Sequence, residues 1–537
     1  MTFVVTQNCC NDATCVEVCP VNCIHPAPGE DGYATAEMLY IDPDVCIDCG
    51  ACADVCPVGA ISSDDELEGL DVRYLEVNAE HYARSPVTPP VPTEARSSRP
   101  IASIRPPEPV LRVAIIGSGP SACYAAEELL SNRDVAAEVT IIERLPFVGG
   151  LVRYGVAPDH SRTKSIDRSF ERTLRRPGVT LHLGVEIGSD IGLDEVVAHH
   201  HAVIVAAGAA DDRRMGIPGE DLPGVHSARD VVAWYNGHPD HAHRAPDLSG
   251  PRAMVLGNGN VALDVARMLI SRPDDLRRTD MADHALEALE DSGIREVVLV
   301  GRRGAEFAAC TTPELLGLKS LRGVDVVVAD EVPVGQASPL KTRILAEFAA
   351  REPRHDRRIV FRFGASPSVV RGSDRATGVG FVSAGGNEPL EIDCGLVVRS
   401  IGYRGAAFDG LPFDDVTGTV SNEDGRVVAA PGGRRIPGLY TAGWLKRGPT
   451  GVIGTNRFCA RETVSALIED RRAGALPSPL GDASGFEELV RTRNPQSLDA
   501  EDWFAIDKYE RFEGRRQGRP RVKVVDRADA VALARSR

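Results

Sequence analysis

Cys46-x-x-Cys49-x-x-Cys52-x-x-x-Cys56-Pro57 constrains this chain more than any other stretch. Thiols three residues apart on a tight loop converge on three corners of an iron–sulfur cubane, and the fourth, held before proline, turns away to a second cluster. Cys15-x-x-x-Cys19-Pro20 repeats the end of that run, so Cys19 is expected to complete the cluster held by Cys46, Cys49 and Cys52. The other cluster then takes Cys15, Cys56 and one of Cys9 or Cys10. Adjacent residues on an extended chain point in opposite directions, so only one of that pair should reach it. Cys23 lies outside the ligand pattern and reads as a small buried residue. The design is internally repeated: Val18-Cys-Pro-Val21 returns as Val55-Cys-Pro-Val58.

Nine of the thirteen cysteines precede residue 57, a clustering that points to metal or redox work rather than disulfides. The same segment is acidic. Residues 1–76 hold fifteen Asp and Glu against one base, Arg73, so −14 of the net −16 sits there. Nucleic acid is excluded as a partner, because its phosphates would be repelled; a basic protein surface suits the module instead. No apolar run approaches the roughly 20 residues that span a bilayer. The first residues lack a basic segment followed by an apolar stretch, so a cytoplasmic location is expected.

At 537 residues the chain has room for several domains. The cluster module is expected over residues 1–75. Residues 76–109 follow as a linker, where the prolines from Pro86 to Pro109 forbid a helix or inner strand and favour a semi-rigid tether. Val113-Ala-Ile-Ile-Gly-Ser-Gly119 then runs from a buried-strand pattern into a glycine turn, and Ala253-Met-Val-Leu-Gly-Asn-Gly259 repeats it. Each precedes a helical segment. The fold class expected is therefore an α+β ferredoxin-like cluster module followed by two doubly wound α/β, Rossmann-like nucleotide-binding domains. The first nucleotide domain should occupy 110–211 and resume at 401–537, with the second inserted over 212–400. The polar tail past residue 470, basic from Arg511 to Lys523, is expected to wrap the surface.

In the first unit Gly117 makes the turn, Gly119 lets the backbone approach a pyrophosphate, and Glu143 ends the next strand where it can accept from ribose hydroxyls. In the second unit the strand after Gly257-Asn-Gly259 ends in Arg302-Arg303 instead of an acid. Two guanidiniums suit a 2′-phosphate, so NADP rather than NAD is expected. His199-His-His201 reads as a solvated helix end, and His238, His241 and His243 as surface loop residues.

Phe3-Val-Val-Thr6, Cys15-Val-Glu-Val-Cys-Pro-Val21 and Asp44-Val-Cys-Ile-Asp-Cys49 resemble seven-iron bacterial ferredoxins. That resemblance implies one [4Fe–4S] cluster and a [3Fe–4S] cluster on three cysteines. Cys9 keeps the register of Phe3–Thr6 and is favoured as the third. The spacing from Cys9 to Cys15 is two residues shorter than usual, which leaves open a fourth ligand from Cys10 and a second [4Fe–4S] cluster. From about residue 110, Gly149-Gly-Leu-Val-Arg-Tyr-Gly-Val-Ala-Pro-Asp-His160, Gly301-Arg-Arg-Gly304 and Gly443-Trp-Leu-Lys-Arg-Gly-Pro-Thr-Gly-Val-Ile-Gly-Thr455 resemble the adrenodoxin-reductase-like ferredoxin–NADP reductases. The whole chain is similar to the mycobacterial-type fusion of the two.

The resemblance implies FAD contacts at Ser121, Glu143, Leu151, Trp444, Gly451, Val452 and Ile453, beside the turn glycines Gly117 and Gly119. It implies NADP contacts at Asn258, Gly259, Asn260, Val261, Arg302, Arg303, Glu314 and Gly451, with His160 and Glu314 near the nicotinamide. The activity implied is ferredoxin–NADP reduction: a hydride passes from NADPH to FAD, then single electrons pass to the chain's own clusters and on to a redox protein such as a ferredoxin or a cytochrome P450. A thioredoxin-reductase-like activity fails, because residues 110–537 contain no Cys-x-x-Cys. Two other readings remain: a small subunit of glutamate-synthase type, and a redox sensor without turnover.

Overall fold

The computed structural model describes residues 2–84, 110–335, 338–383 and 390–536. The proline-rich stretch at 85–109, expected to be a tether, lies outside the described residues.

The cluster module shows in three dimensions the repeat seen in its sequence. Helices Thr14–Val18 and Ala51–Val55 each follow a residue in the left-handed region, Ala13 at φ 59° and Gly50 at φ 74°, and each ends on an extended Cys before Pro. Cys15 and Cys52 occupy the matching second helical position. Strand Phe3–Val5 pairs antiparallel with Ile61–Ser63, and Ile24–His25 with Tyr40–Ile41. The linker does not begin at residue 76. Helix Arg73–Arg84 crosses that boundary and belongs to the module. Its Asn78 is almost fully buried, accepts from the Ile41 amide at 2.9 Å and donates to the Val5 carbonyl at 2.9 Å. A single side chain thus satisfies two strands that have no ladder between them, and burying it unpartnered would be costly.

Two sheets carry the rest. The first has seven strands in the order Asn422–Glu423, Arg426–Val428, Arg435–Thr441, Ala202–Val205, Leu111–Ile116, Ala137–Glu143, Val179–Leu183, the last five of them parallel. The second has six parallel strands: Val225–Ser227, Leu396–Arg399, Arg252–Leu256, Glu296–Val300, Arg357–Arg362, Val324–Val328. Strands such as Leu111–Ile116 and Arg252–Leu256 are buried nearly throughout, as expected for parallel strands covered on both faces. The chain leaves the first sheet after Val205 and returns to it at Asn422, so the second domain is an insertion.

The tail does more than wrap the surface. Glu510 and the side chain of Lys523 are fully buried. Glu510 pairs with Arg153 at 2.5 Å and Arg521 at 2.9 Å, while Lys523 lies 3.2 Å from Asp280 of the inserted domain. The basic run therefore locks the two nucleotide domains together, its charges matched by buried carboxylates. Three histidines assigned to the surface are buried too. His200 is packed edge-on against Phe486, His238 faces Tyr154 with ring centroids 4.7 Å apart, and His241 lies 3.2 Å from Asp230.

Candidate functional site

In the first domain, Gly117 (φ 105°) closes a turn that no side chain fits: a Cβ would sit 2.6 Å from the Ala206 carbonyl oxygen. Gly119 caps helix Pro120–Ser131. Glu143 reaches back over this turn, accepting from the Ser118 amide at 3.0 Å, the Ser118 hydroxyl at 2.7 Å and the Leu145 amide at 3.0 Å. Burial raises the Glu143 carboxyl above its ordinary value, and the Ser118 hydrogen bonds oppose that rise. Gly150 approaches so closely that a Cβ would lie 2.8 Å from the Gly119 Cα, and the next residue, Leu151, stays exposed.

A second helix start, Thr455–Arg472, is tied to the first by a 2.8 Å hydrogen bond from Ser121 Oγ to Asn456 Oδ1. Gly451, Val452 and Ile453 lead into it, and the Val452 amide donates to Thr455 Oγ1 at 3.2 Å. Trp444 Nε1 donates to the Thr450 carbonyl at 3.2 Å, so Trp444 lines the same loop. The residues assigned to FAD are thus gathered around two adjoining helix N-termini, where partial positive charge and free amides suit a pyrophosphate. The glycine cradle fits a dinucleotide.

In the inserted domain Gly257 (φ 132°) turns against the Ser400 carbonyl and Gly259 caps helix Asn260–Ile270. Asn258 Oδ1 and Asn260 Oδ1 accept from the amides of Ala309 (3.2 Å) and Thr311 (2.8 Å), which fixes the following loop beside the turn. Val261 is the second residue of that helix. Arg302 and Arg303 are exposed, and neither pairs with an acid among the described residues; Arg303 lies over the Phe307 ring at 5.4 Å. Two unpaired guanidiniums beside a glycine turn suit a phosphate dianion.

His160 and Glu314 come from different domains and meet. Their side chains are 3.9 Å apart, with a residue absent from the sequence-derived set between them. Arg267, almost fully buried, donates to His160 Nε2 at 2.8 Å and to Asp159 at 2.6 and 3.0 Å. It also reaches Asp264 at 2.7 Å and Glu314 at 3.4 Å. Burial raises the Glu314 carboxyl, while His160 and Arg267 oppose that rise. His160, Asp264 and Glu314 are close enough to hold a metal ion, but the guanidinium already supplies the positive charge there. The signal in the sequence was an Asp264–Arg267 pair, three residues apart, on a helix otherwise buried and apolar.

Cys19, Cys46, Cys49 and Cys52 line one small cavity, with Phe3, Ile41 and Ile47 on its walls. Cys23, buried as expected, lines it as well, its Sγ 3.5 Å from that of Cys19. Hydrogen bonds from Cys23 hold the Cys19 thiol down to about 5. Cys9, Cys15 and Cys56 form the other group. Burial pushes the Cys9 thiol up to about 12 and raises Cys15 well above its ordinary value, with the neighbouring thiols Cys9 and Cys56 adding to the rise at Cys15. Cys10 instead packs into the reductase core beside Tyr124. Buried thiols that resist ionisation alone become ligands when iron supplies positive charge, so both groups fit clusters.

The module is seated on the reductase. The Gly454 amide donates to the Cys10 carbonyl at 2.6 Å, and a Cβ on Gly454 would overlap the Asn11–Asp12 backbone. Arg457 donates to the Asp12 carbonyl at 3.1 Å and to Thr14 Oγ1 at 2.7 Å. Across the interface Arg461 pairs with Glu17 (3.2 Å), Lys341 with Glu37 (3.5 Å) and Arg343 with Glu76 (2.6 Å).

The pyridine nucleotide-disulphide oxidoreductase family model matches residues 111–449, and the 4Fe-4S binding domain model matches 39–62. A probable ferredoxin/ferredoxin–NADP reductase of Mycobacterium leprae is 45% identical, over 99% of this chain and 98% of its own. The chain belongs to the ferredoxin/ferredoxin–NADP reductase family. The reductase part also matches a relative that lacks the module: NADPH-ferredoxin reductase FprA of Mycobacterium tuberculosis is 44% identical over 78% of this chain and 98% of its own. The structure titled Mycobacterium tuberculosis FprA in complex with NADPH superposes with a TM-score of 0.74 at 42% identity, covering 79% of this chain and all of that one. In this family member no described helix is long and apolar enough to cross a membrane.

Proposed function

We propose that this protein takes reducing equivalents from NADPH at the Arg267 junction and delivers them as single electrons through the cysteine module to a redox protein. When bound, FAD accepts a hydride and iron–sulfur clusters accept one electron each, so the pair converts two-electron into one-electron chemistry. The chain's own residues do the placing. Gly117, Gly119, Ser121, Glu143, Leu151, Trp444, Gly451, Val452 and Ile453 hold FAD. Asn258, Gly259, Asn260, Val261, Arg302 and Arg303 hold NADP, and His160 and Glu314 border the nicotinamide. Hydride transfer needs no general base, so His160 and Glu314 orient and relay protons.

The observation carrying this reading is the Gly454–Cys10 hydrogen bond, which joins the Gly451–Thr455 loop to the cysteine loop. Electron transfer through the module then needs no diffusion of a tethered domain. Cys19, Cys46, Cys49 and Cys52 hold a [4Fe–4S] cluster; Cys9, Cys15 and Cys56 hold a second, of [3Fe–4S] type. None of the thirteen cysteines is in a disulfide, which suits the cytoplasm. A ferredoxin or a cytochrome P450 fits as acceptor.

The test is anaerobic mixing of the holoprotein with NADPH. Flavin absorbance should bleach first, and cluster reduction should follow by EPR, with sustained cytochrome c reduction under turnover. Failure of NADPH to bleach the flavin overturns the proposal; bleaching without turnover would leave a sensor.

A further inference from the structure

The two cysteine groups differ in what covers them. Cys9, Cys10 and Cys15 lie under the reductase, where Gly454 and Arg457 bond to the Cys10, Asp12 and Thr14 segment and Phe458 meets Tyr33 edge-on at 6.1 Å. The loop 43–49 over the other group faces solvent. Cys49 is exposed, Ile47 is 57% exposed and Val45 is 44% exposed. Two large apolar side chains thus stand beside an exposed cysteine, an arrangement that suits a contact surface.

The module's acidity is divided the same way. Asp12, Glu17, Glu37 and Glu76 pair with bases of the reductase. Asp44 and Asp48, which flank Val45 and Ile47, are exposed, and no Lys or Arg pairs with either among the described residues. One set of acids holds the module in place while the other rings an apolar centre. That arrangement, apolar core with a charged rim, is the anatomy of a transient interface.

We propose that electrons leave the protein over the Asp44–Cys49 loop, which docks a basic one-electron carrier protein on Val45 and Ile47, with Asp44 and Asp48 setting orientation and capture rate. One electron would cross per encounter: the carrier would be reduced and the cluster that Cys19, Cys46, Cys49 and Cys52 would hold would be oxidised, with no bond made or broken. The order is then fixed by position: the covered Cys9/Cys15/Cys56 group receives from the flavin side and the exposed group delivers. This inference rests on the reductase reading given above.

The test uses oxidised holoprotein and oxidised, lysine-rich cytochrome c without NADPH, so binding is read apart from turnover. Asp44→Asn/Asp48→Asn should weaken binding about tenfold at low ionic strength and flatten its salt dependence. Asn tolerates the left-handed φ of 58° at position 48, and iron content with visible absorbance checks cluster assembly. Should position 48 disturb assembly, Asp44→Asn with Ile47→Ala serves instead, with the same loss expected. Glu66→Gln/Glu68→Gln, which removes equal charge elsewhere on the module, should leave binding within about twofold. Equal losses in both double variants, or no loss in the first, overturn the proposal. NADPH bleaching of the flavin, read in the same samples, should be unchanged in all of them; its absence in the unmodified protein would sink the reductase reading instead.

Discussion

Arg267 donates a 2.8 Å hydrogen bond to Nε2 of His160, joining the inserted domain to the first one. A guanidinium has donors only, so Nε2 must accept. Asp159, Asp264 and Glu314 surround the same guanidinium, which is their shared counter-charge.

Removing that counter-charge should therefore alter proton handling more than folding. Arg267→Gln leaves three carboxylates without their counter-charge, raising the Glu314 carboxyl further. Stopped-flow bleaching of the flavin by NADPH should slow by roughly tenfold or more at neutral pH, with its pH profile shifted upward. Arg267→Lys should recover part of the rate. An unshifted profile with a slower rate would mean that Arg267 is only structural.

Gly454 has no room for a side chain against Asn11 and Asp12. Gly454→Val should lift the module without disturbing the glycine turns of either nucleotide site. NADPH-driven ferricyanide reduction, taken directly from flavin, should persist, while cytochrome c reduction falls by about tenfold or more. Parallel loss of both would place Gly454 in flavin binding instead.

The ligand choice at the covered group can be read spectroscopically. Oxidised [3Fe–4S] has an unpaired spin and an EPR signal near g of about 2, which [4Fe–4S]²⁺ lacks. Cys9→Ser should abolish that signal and Cys10→Ser, altering a thiol beside Tyr124, should spare it. Close to eight irons per chain without the signal, in anaerobically prepared protein, would mean two [4Fe–4S] clusters.

Arg302 and Arg303 should set coenzyme preference, because only NADPH carries the extra phosphate. Replacing both with Gln should raise KM for NADPH strongly and leave KM for NADH nearly unchanged. Equal losses with the two coenzymes would refute the assignment.

Asp280 lies between Lys164 (2.7 Å) and Lys523 (3.2 Å), with Arg521 nearby, and these cations outweigh burial to hold its carboxyl down to about 2. A depressed folded-state value stabilises above the unfolded value of about 3.9 and is lost as pH falls towards about 2. Asp280→Asn leaves two buried ammoniums uncompensated and should cost about 3–5 kcal/mol at pH 7. Urea unfolding followed by circular dichroism should show the gap between variant and parent narrowing from about pH 4 downward.

Local pattern in the sequence determined the elements that obey local rules. The Cys46–Pro57 run dictated a tight loop and a short helix, and Gly117 and Gly257 dictated strand–turn–helix units, because in each case neighbouring residues alone decide the backbone. The basic stretch Arg511–Lys523 looked solvated for the same reason: nothing near it in sequence shows that Glu510 and Asp280 would close over it. Arg267 was hidden because its partners Asp159, His160 and Glu314 lie 108, 107 and 47 positions away. Only the tertiary structure decided which cysteine group is covered and which faces water. Coverage depends on how two separately folded modules dock, and docking is set by long-range contacts such as Gly454 with Cys10 that leave no periodicity in the chain.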